Sequence, residues 1–194
     1  VTAALELVTG PVNASLTLAE AKAQLRIDFD DDDTLLTNLI HTAEAHVDGL
    51  GDLGRAMITQ TWAQYENQSP GWVRLHMTPV QSLTSVEYYD ADGVLQTATL
   101  SDFELWRDGD FMVCKPKDGA QWPTADSRPD AIKITYVAGF GDASTDIPEN
   151  IRQAMLMLIA HLYENREAAT EAKLMSTPMG YDMLMNNQRV GWYG

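Results

Sequence analysis

The residues most suggestive of chemistry lie in one acidic run, Asp28-Phe29-Asp30-Asp31-Asp32-Asp33. Asp28, Asp30 and Asp32 repeat the alternate spacing of a calcium loop, in which successive carboxylates converge on one cation. Such a loop also needs glycine at its sixth position for the sharp turn and a bidentate glutamate at its twelfth. Here those places hold Asp33 and Leu39. The run fits better as the entry to a helix, with Asp32 or Asp33 as its N-cap and the others near the positive end of its dipole. His41, Glu44 and His46 form a second metal candidate. Histidines five apart on a helix point about 140° away from each other, whereas a zinc-protease helix sets them four apart on one face. His76 and His161 carry no motif. The sequence has no G-x-S-x-G elbow, phosphate-binding loop or dinucleotide fingerprint. Cys114 is the single cysteine, in a short apolar strand with no histidine close in sequence, and reads as a buried, inert thiol. A lone cysteine also excludes a disulfide framework or a CxxC site. No constellation is left to carry an enzymatic reaction, and no cofactor is expected.

The elements that would position these residues read as helix, sheet, helix, tail. Thr17-Leu18-Ala19-Glu20 is a capping box, so a short helix should follow with Leu18, Ala21 and Leu25 on one face. Leu35, Leu36, Leu39, Ile40, Ala43 and Val47 have helical spacing and predict a second helix over about 34–48, ended by Gly49 and Gly51. From about residue 57 the period shortens to that of strands. Segments 58–65, 72–77, 85–89, 94–99, 103–106, 111–114 and 132–137 alternate and are rich in β-branched and aromatic residues. Asp90-Ala91-Asp92-Gly93 and Arg107-Asp108-Gly109-Asp110 are hairpin turns. Strands this short and closely spaced predict an antiparallel sheet or small sandwich. Pro148 opens a third helix, expected to reach about 169, whose stretch 154–160 is apolar on every face and must be covered all round. The expected division is therefore 1–56 as the N-terminal helical part of the core, 57–147 as a β-rich insertion, 148–169 as the C-terminal core helix, and 170–194 as a tail. The fold class is α+β.

The chain of 194 residues carries 28 acidic and 13 basic side chains, a net charge of −15. That excludes broad electrostatic binding to nucleic acid or acidic membranes, which requires basic patches. No basic segment followed by an apolar run opens the sequence, so no signal peptide is expected, and no apolar run is long enough to span a bilayer. Residues 1–56 carry 10 acids against 3 bases, 57–147 carry 13 against 6, and 148–194 carry 5 against 4. An acidic body thus gives way to a nearly neutral end. That end holds Tyr181, Leu184, Met185, Arg189 and Trp192 without strand alternation or a sustained helical stripe. So apolar a segment needs a surface to cover it.

Five segments together resemble one family. They are the opening Leu16-Thr17-Leu18-Ala19-Glu20-Ala21-Lys22-Ala23-Gln24-Leu25-Arg26, then Gly54-Arg55-Ala56-Met57-Ile58-Thr59-Gln60-Thr61-Trp62, then the stretch from Met77-Thr78-Pro79-Val80 to Asp90-Ala91-Asp92-Gly93, then Ile134-Thr135-Tyr136-Val137-Ala138-Gly139-Phe140-Gly141, and last Ile147-Pro148-Glu149 through Leu162-Tyr163-Glu164-Asn165-Arg166-Glu167. In this order and spacing, over residues 16–169, the chain resembles the head–tail connector (adaptor) proteins of long-tailed bacteriophages and gene transfer agents. The resemblance implies a helical core with a β-rich insertion. It implies a structural virion protein that binds the portal as a ring of about twelve copies, a closed symmetric assembly. Such a ring extends the DNA channel, lets duplex DNA pass without binding it specifically, and offers a docking site to a head-closure (stopper) or tail protein. On this reading the protein assembles in the bacterial cytoplasm, and Tyr181, Leu184, Met185, Arg189 and Trp192 are portal-binding anchors on a tail that orders only when docked. The alternative is a calcium- or metal-binding module using residues 28–33.

Overall fold

The computed structural model describes residues 4–69, 71–165 and 179–189. It has the α+β class expected, and the chain divides into two compact units. A β unit takes residues 4–12 together with Thr59–Gly139, and a helical unit takes Asn13–Ile58 together with the chain from Phe140 onward.

In the β unit, β1 (Ala4–Thr9), β2 (Gln60–Glu66), β8 (Ile132–Ala138), β4 (Val80–Tyr89) and β5 (Leu95–Thr97) form, in that order, a five-stranded antiparallel sheet. A second antiparallel sheet has the order β3 (Val73–Leu75), β7 (Phe111–Pro116), β6 (Phe103–Asp108). Strands β2 to β8 fall where the alternation places them, except that β4 begins at Val80, well before the expected start at 85. The hairpin between β4 and β5 is set by Asp90, whose Oδ1 accepts from the amides of Asp92 (3.0 Å) and Val94 (2.9 Å). Gly93 supplies the positive φ of 73° that the turn demands. Buried apolar residues from both sheets, among them Trp62, Leu75, Val86, Phe103, Ile132 and Ile134, fill the interior. A buried amide ties β2 to the chain at β3: Gln64 Nε2 donates to Arg74 O (2.8 Å), and its Oε1 accepts from His76 N (3.1 Å). With these partners a polar group at 0% exposure is satisfied rather than costly.

β1 was not expected. The composition groups residues 1–56 with the helices, yet Ala4–Thr9 pairs with β2 as an edge strand of the large sheet. Its residues are mostly exposed, so it carries almost none of the one-faced alternation that marks a half-buried strand.

The helical unit contains α1 (Leu18–Leu25), α2 (Asp33–Val47), α3 (Glu149–Glu164) and α4 (Met179–Met185). The capping box forms as the sequence predicts: Glu20 N donates to Thr17 Oγ1 (3.2 Å) and Thr17 N to Glu20 Oε2 (2.7 Å). Burial pushes Glu20 up, but hydrogen bonds from Thr17 and Arg152 outweigh it and hold the carboxyl below its ordinary range. Leu16, Ile40, Val47, Leu53, Met57, Ile151, Met155, Leu158 and Ile159 share one core. Leu156 and Leu162 pack against it half-buried. The all-round apolar character of α3 has its reason in α4, which lies along it; the backbone of Gly180 closely approaches the Met157 methyl. Among the described residues no helix is long and apolar enough to cross a membrane.

Candidate functional site

The helical unit concentrates its polar chemistry where the C-terminal segment meets the loop after α2. That loop folds back on the end of the helix. Asp52 N donates to His46 O (2.8 Å), Leu53 N to Val47 O (3.1 Å) and Gly49 N to Arg55 O (2.7 Å). Gly51 is required by proximity, since a Cβ there would fall 2.4 Å from His46 O. Asp48 fixes the loop's exit by accepting from Met57 N (2.7 Å). Leu53 and Met57 are thereby buried, and the Asp52 carboxylate is presented to the C-terminal segment.

Asp52 is a hub. Arg189 grips it with two parallel bonds, Nε to Oδ1 (3.0 Å) and Nη2 to Oδ2 (2.8 Å), the fork geometry that gives arginine–carboxylate pairs their strength. The same Nη2 reaches Asp182 Oδ1 (2.8 Å), and Nη1 reaches Asn186 Oδ1 (2.7 Å). Tyr181 OH donates to Asp52 Oδ2 (2.8 Å), and its ring is fully buried. Burial, then the Asp52 carboxylate, pushes the Tyr181 phenol well above its ordinary value. The hydrogen bonds that Arg189 donates to Asp52 and Asp182 raise it in turn. Two backbone contacts complete the attachment, Arg55 Nε to Gln188 O (2.8 Å) and Asn150 Nδ2 to Leu184 O (3.3 Å).

The anchors expected of the tail are therefore gathered, for residues 179–189, onto the chain's own helical unit. This corrects the expectation that the segment lacks a helix. Tyr181 and Met185 are buried in the core and Leu184 is half-buried against it. Arg189 makes the two-point carboxylate contact foreseen for it, but with Asp52 of the same chain. Trp192 lies outside the described residues. Nothing in local sequence could reveal Asp52, whose partner stands 137 residues away.

The acidic run is bound up with protein partners. Lys22 Nζ sits 2.7 Å from both Asp30 Oδ1 and Asp33 Oδ1, and this ammonium holds Asp30 below its ordinary pKa. Asp32 stands at the N-cap position of α2 without a side-chain cap, because its Oδ2 accepts from Tyr163 OH on α3. The capping role expected of Asp32 or Asp33 is thus replaced by tertiary contacts. Of the helical trio, Glu44 Oε1 accepts from Ser15 N (2.5 Å), and the His46 ring lies 6.3 Å from that of Tyr181. Among the described residues no cluster of three or more His, Cys, Asp or Glu could hold a metal ion. Cys114 is buried, and desolvation pushes its thiol up to about 12.

The chain is thus an α+β protein, a small helical core with a β-rich unit inserted into it and its C-terminal segment clamped back. Residues 15–93 match the family model described as phage gp6-like head-tail connector protein. No curated protein matches the chain in sequence. Among solved structures, a chain in the virion of a native gene transfer agent (GTA) particle is similar, with a TM-score of 0.76 and 23% identity, covering 97% of this chain and 96% of that one. A chain in the neck of an empty GTA particle, computed with C6 symmetry, has a TM-score of 0.75 at 23% identity over 98% and 97%. One in the neck of a native GTA particle, computed with C12 symmetry, has 0.69 at 22% over 98% and 97%. The likeness to head–tail connectors carried by the sequence motifs is borne out by the family match over residues 15–93, and the fold is that of chains in GTA virions and necks.

Proposed function

We propose that this chain is a head–tail connector: a structural virion protein that assembles as a ring beneath the portal, extends the DNA channel and offers its far side to a head-closure or tail protein. The observation that carries the reading is the match of residues 15–93 to the connector family, supported by a common fold over nearly the whole chain with proteins of GTA virions and necks. The role is structural rather than enzymatic, and its place is the head–tail interface of a particle. A net charge of −15 suits a ring through which duplex DNA slides, since lysine and arginine contacts to phosphate would hold the duplex without regard to sequence. Portal contact would run through the C-terminal segment. In that segment Tyr181, Met185 and Arg189 set the position of α4 from beneath, with Leu184 half-buried against the same core, while Met183, 79% exposed, gives it an apolar outer side. Trp192 would extend the contact.

Deleting the gene from a particle-producing strain tests the reading. DNA-filled heads without tails, restored to tailed particles by the gene in trans, are the expected result. Tailed particles in its absence would overturn it. Met183→Asp, on the exposed side of α4, tests the portal contact, with loss of attachment to portal-bearing heads at an unchanged melting temperature expected.

A further inference from the structure

The outer face of the three-stranded sheet is unusual for so acidic a protein. The register sets Trp106, Val113 and Arg74 side by side across β6, β7 and β3, flanked on that face by the pairs Glu104–Lys115 and Asp108–Phe111. Trp72 and Trp106 are 54% and 56% exposed, a costly placement for the largest apolar side chains. With Arg107, Asp108 and Lys115 they line an open cleft of about 400 Å³, floored by the nearly buried Val113.

The walls of this cleft are held in place. Lys115 Nζ lies 4.0 Å from the Trp106 ring centre, and the Arg74 guanidinium 4.7 Å from that of Phe111 and 6.0 Å from that of Trp72. Trp122 Nε1 donates to Gly71 O (3.4 Å), fixing the chain just before Trp72. The charges largely cancel where they stand: Arg74 pairs with Asp108 at 3.2 Å and Lys115 with Glu104 at 3.2 Å. Arg107 Nε donates to Gly109 O, and the residue makes no ion pair among the described residues. The cleft therefore offers two broad aromatic surfaces and a rim of fixed donors and acceptors with little net charge.

We infer that this cleft binds a neutral saccharide, one or two pyranose rings of a longer glycan. The C–H face of a pyranose is apolar and slightly positive, so it stacks on the negative face of an indole. Its hydroxyls both donate and accept, which suits Asp108 as acceptor and Lys115 as donor. The volume falls within the range of small-ligand sites. Nucleic acid is a poorer fit, because phosphates call for unpaired cations and both cations on this face, Arg74 and Lys115, are engaged. A protein partner is poorer too: a stable interface buries about 800 Å² on each side, and two half-exposed indoles offer about 250 Å². The inference is independent of the connector role and concerns the β unit alone.

Intrinsic fluorescence and saturation-transfer NMR on the full chain, titrated with maltose, cellobiose, lactose and chitobiose, test it. Saturable binding of at least one disaccharide is expected, insensitive to salt. Trp72→Ala and Trp106→Ala should each weaken binding about tenfold while keeping the melting temperature, since each removes one stacking surface. Should Trp106→Ala fail to fold, Lys115→Ala reads the polar rim and must weaken binding too. Absence of saturation up to about 50 mM, far weaker than the affinity of a built site, would overturn the inference. So would binding that survives in both tryptophan variants, preference for a sulfated disaccharide with a steep salt dependence, or burial of both indoles by a protein in footprinting of assembled particles.

Discussion

The helical unit and the β unit treat the same kinds of residue in opposite ways. In the helical unit the aromatic and cationic residues near the C-terminus turn inward: Tyr181 is fully buried and Arg189 clamps Asp52 with a two-point fork. In the β unit Trp72 and Trp106 stay more than half exposed, with Arg74 and Lys115 resting on aromatic rings at the surface. What separates the two is where the matching carboxylate stands. Asp52 sits on a loop folded against the end of α2, partly shielded, and draws its partners down. Asp108 and Glu104 lie on the same sheet face as their cations and neutralise them in place. The first arrangement contributes to stability and the second leaves a surface available for binding.

That contrast makes the helical unit the more fragile. The largest effect is expected for Leu158→Asp, which places an unpaired carboxylate in the core beside Met155 and Ile159 and costs several kcal/mol, comparable with the whole stability of a domain. Circular dichroism at the α-helical band should show the unit unfolded at ambient temperature. An unaltered melting curve would mean that α3 is not central to this core.

Next comes Asp52→Ala, which strips the acceptor from Tyr181 and Arg189 together and should cost about 2 kcal/mol in chemical denaturation. A double-mutant cycle with Arg189→Met should show the two changes to be strongly non-additive, as expected for residues in one network. Additive losses would show that the fork contributes nothing as a pair.

Tyr181→Phe removes one hydrogen bond and should cost about 1 kcal/mol near neutral pH. It should also change the response to alkali. The phenol is held above its ordinary value of 10.0 in the folded chain, so the folded state keeps a proton that the unfolded state releases. Its contribution is therefore complete below pH 10 and is lost as pH rises beyond it, at about 1.4 kcal/mol per pH unit for each such tyrosine. Thermal melts between pH 8 and 11 should fall less steeply for the variant than for the wild type, and parallel curves would contradict the assignment. The smallest effect belongs to Trp72→Ala, an exposed site at which stability should change by no more than about 0.5 kcal/mol. A larger loss would show that the indole packs the β unit rather than serving the cleft.

Much of this architecture was legible in the chain because its causes are local. Thr17 and Glu20 are three residues apart and cap α1 as a pair, and the aspartate and glycine of Asp90-Ala91-Asp92-Gly93 set the β4–β5 hairpin by themselves. The illegible parts depend on partners distant in sequence. β1 has no buried face of its own and gains its identity from pairing with β2 some 60 residues on. α4 has seven residues, too few to be helical alone, and is stabilised by packing on α3 and by Asp52. The Arg189 chemistry could be read from the residue type, but its partner could not. Asp32 shows the converse, since a residue type and position suited to capping α2 is claimed instead by Tyr163. The Trp72 and Trp106 cleft was missed because Trp72, just before β3, and Trp106, on β6, stand far apart in sequence and are brought together only by the pairing of both strands with β7.

The central claim, a connector ring at the neck of a virion or gene transfer agent particle, is tested most directly by cryo-electron microscopy of the necks of particles from the producing strain. The account predicts a closed ring of this chain directly below the portal, with the helical units of its copies resolved and the channel open through their centre. Necks in which the density below the portal fits another protein, with this chain absent from the purified particle, would contradict it.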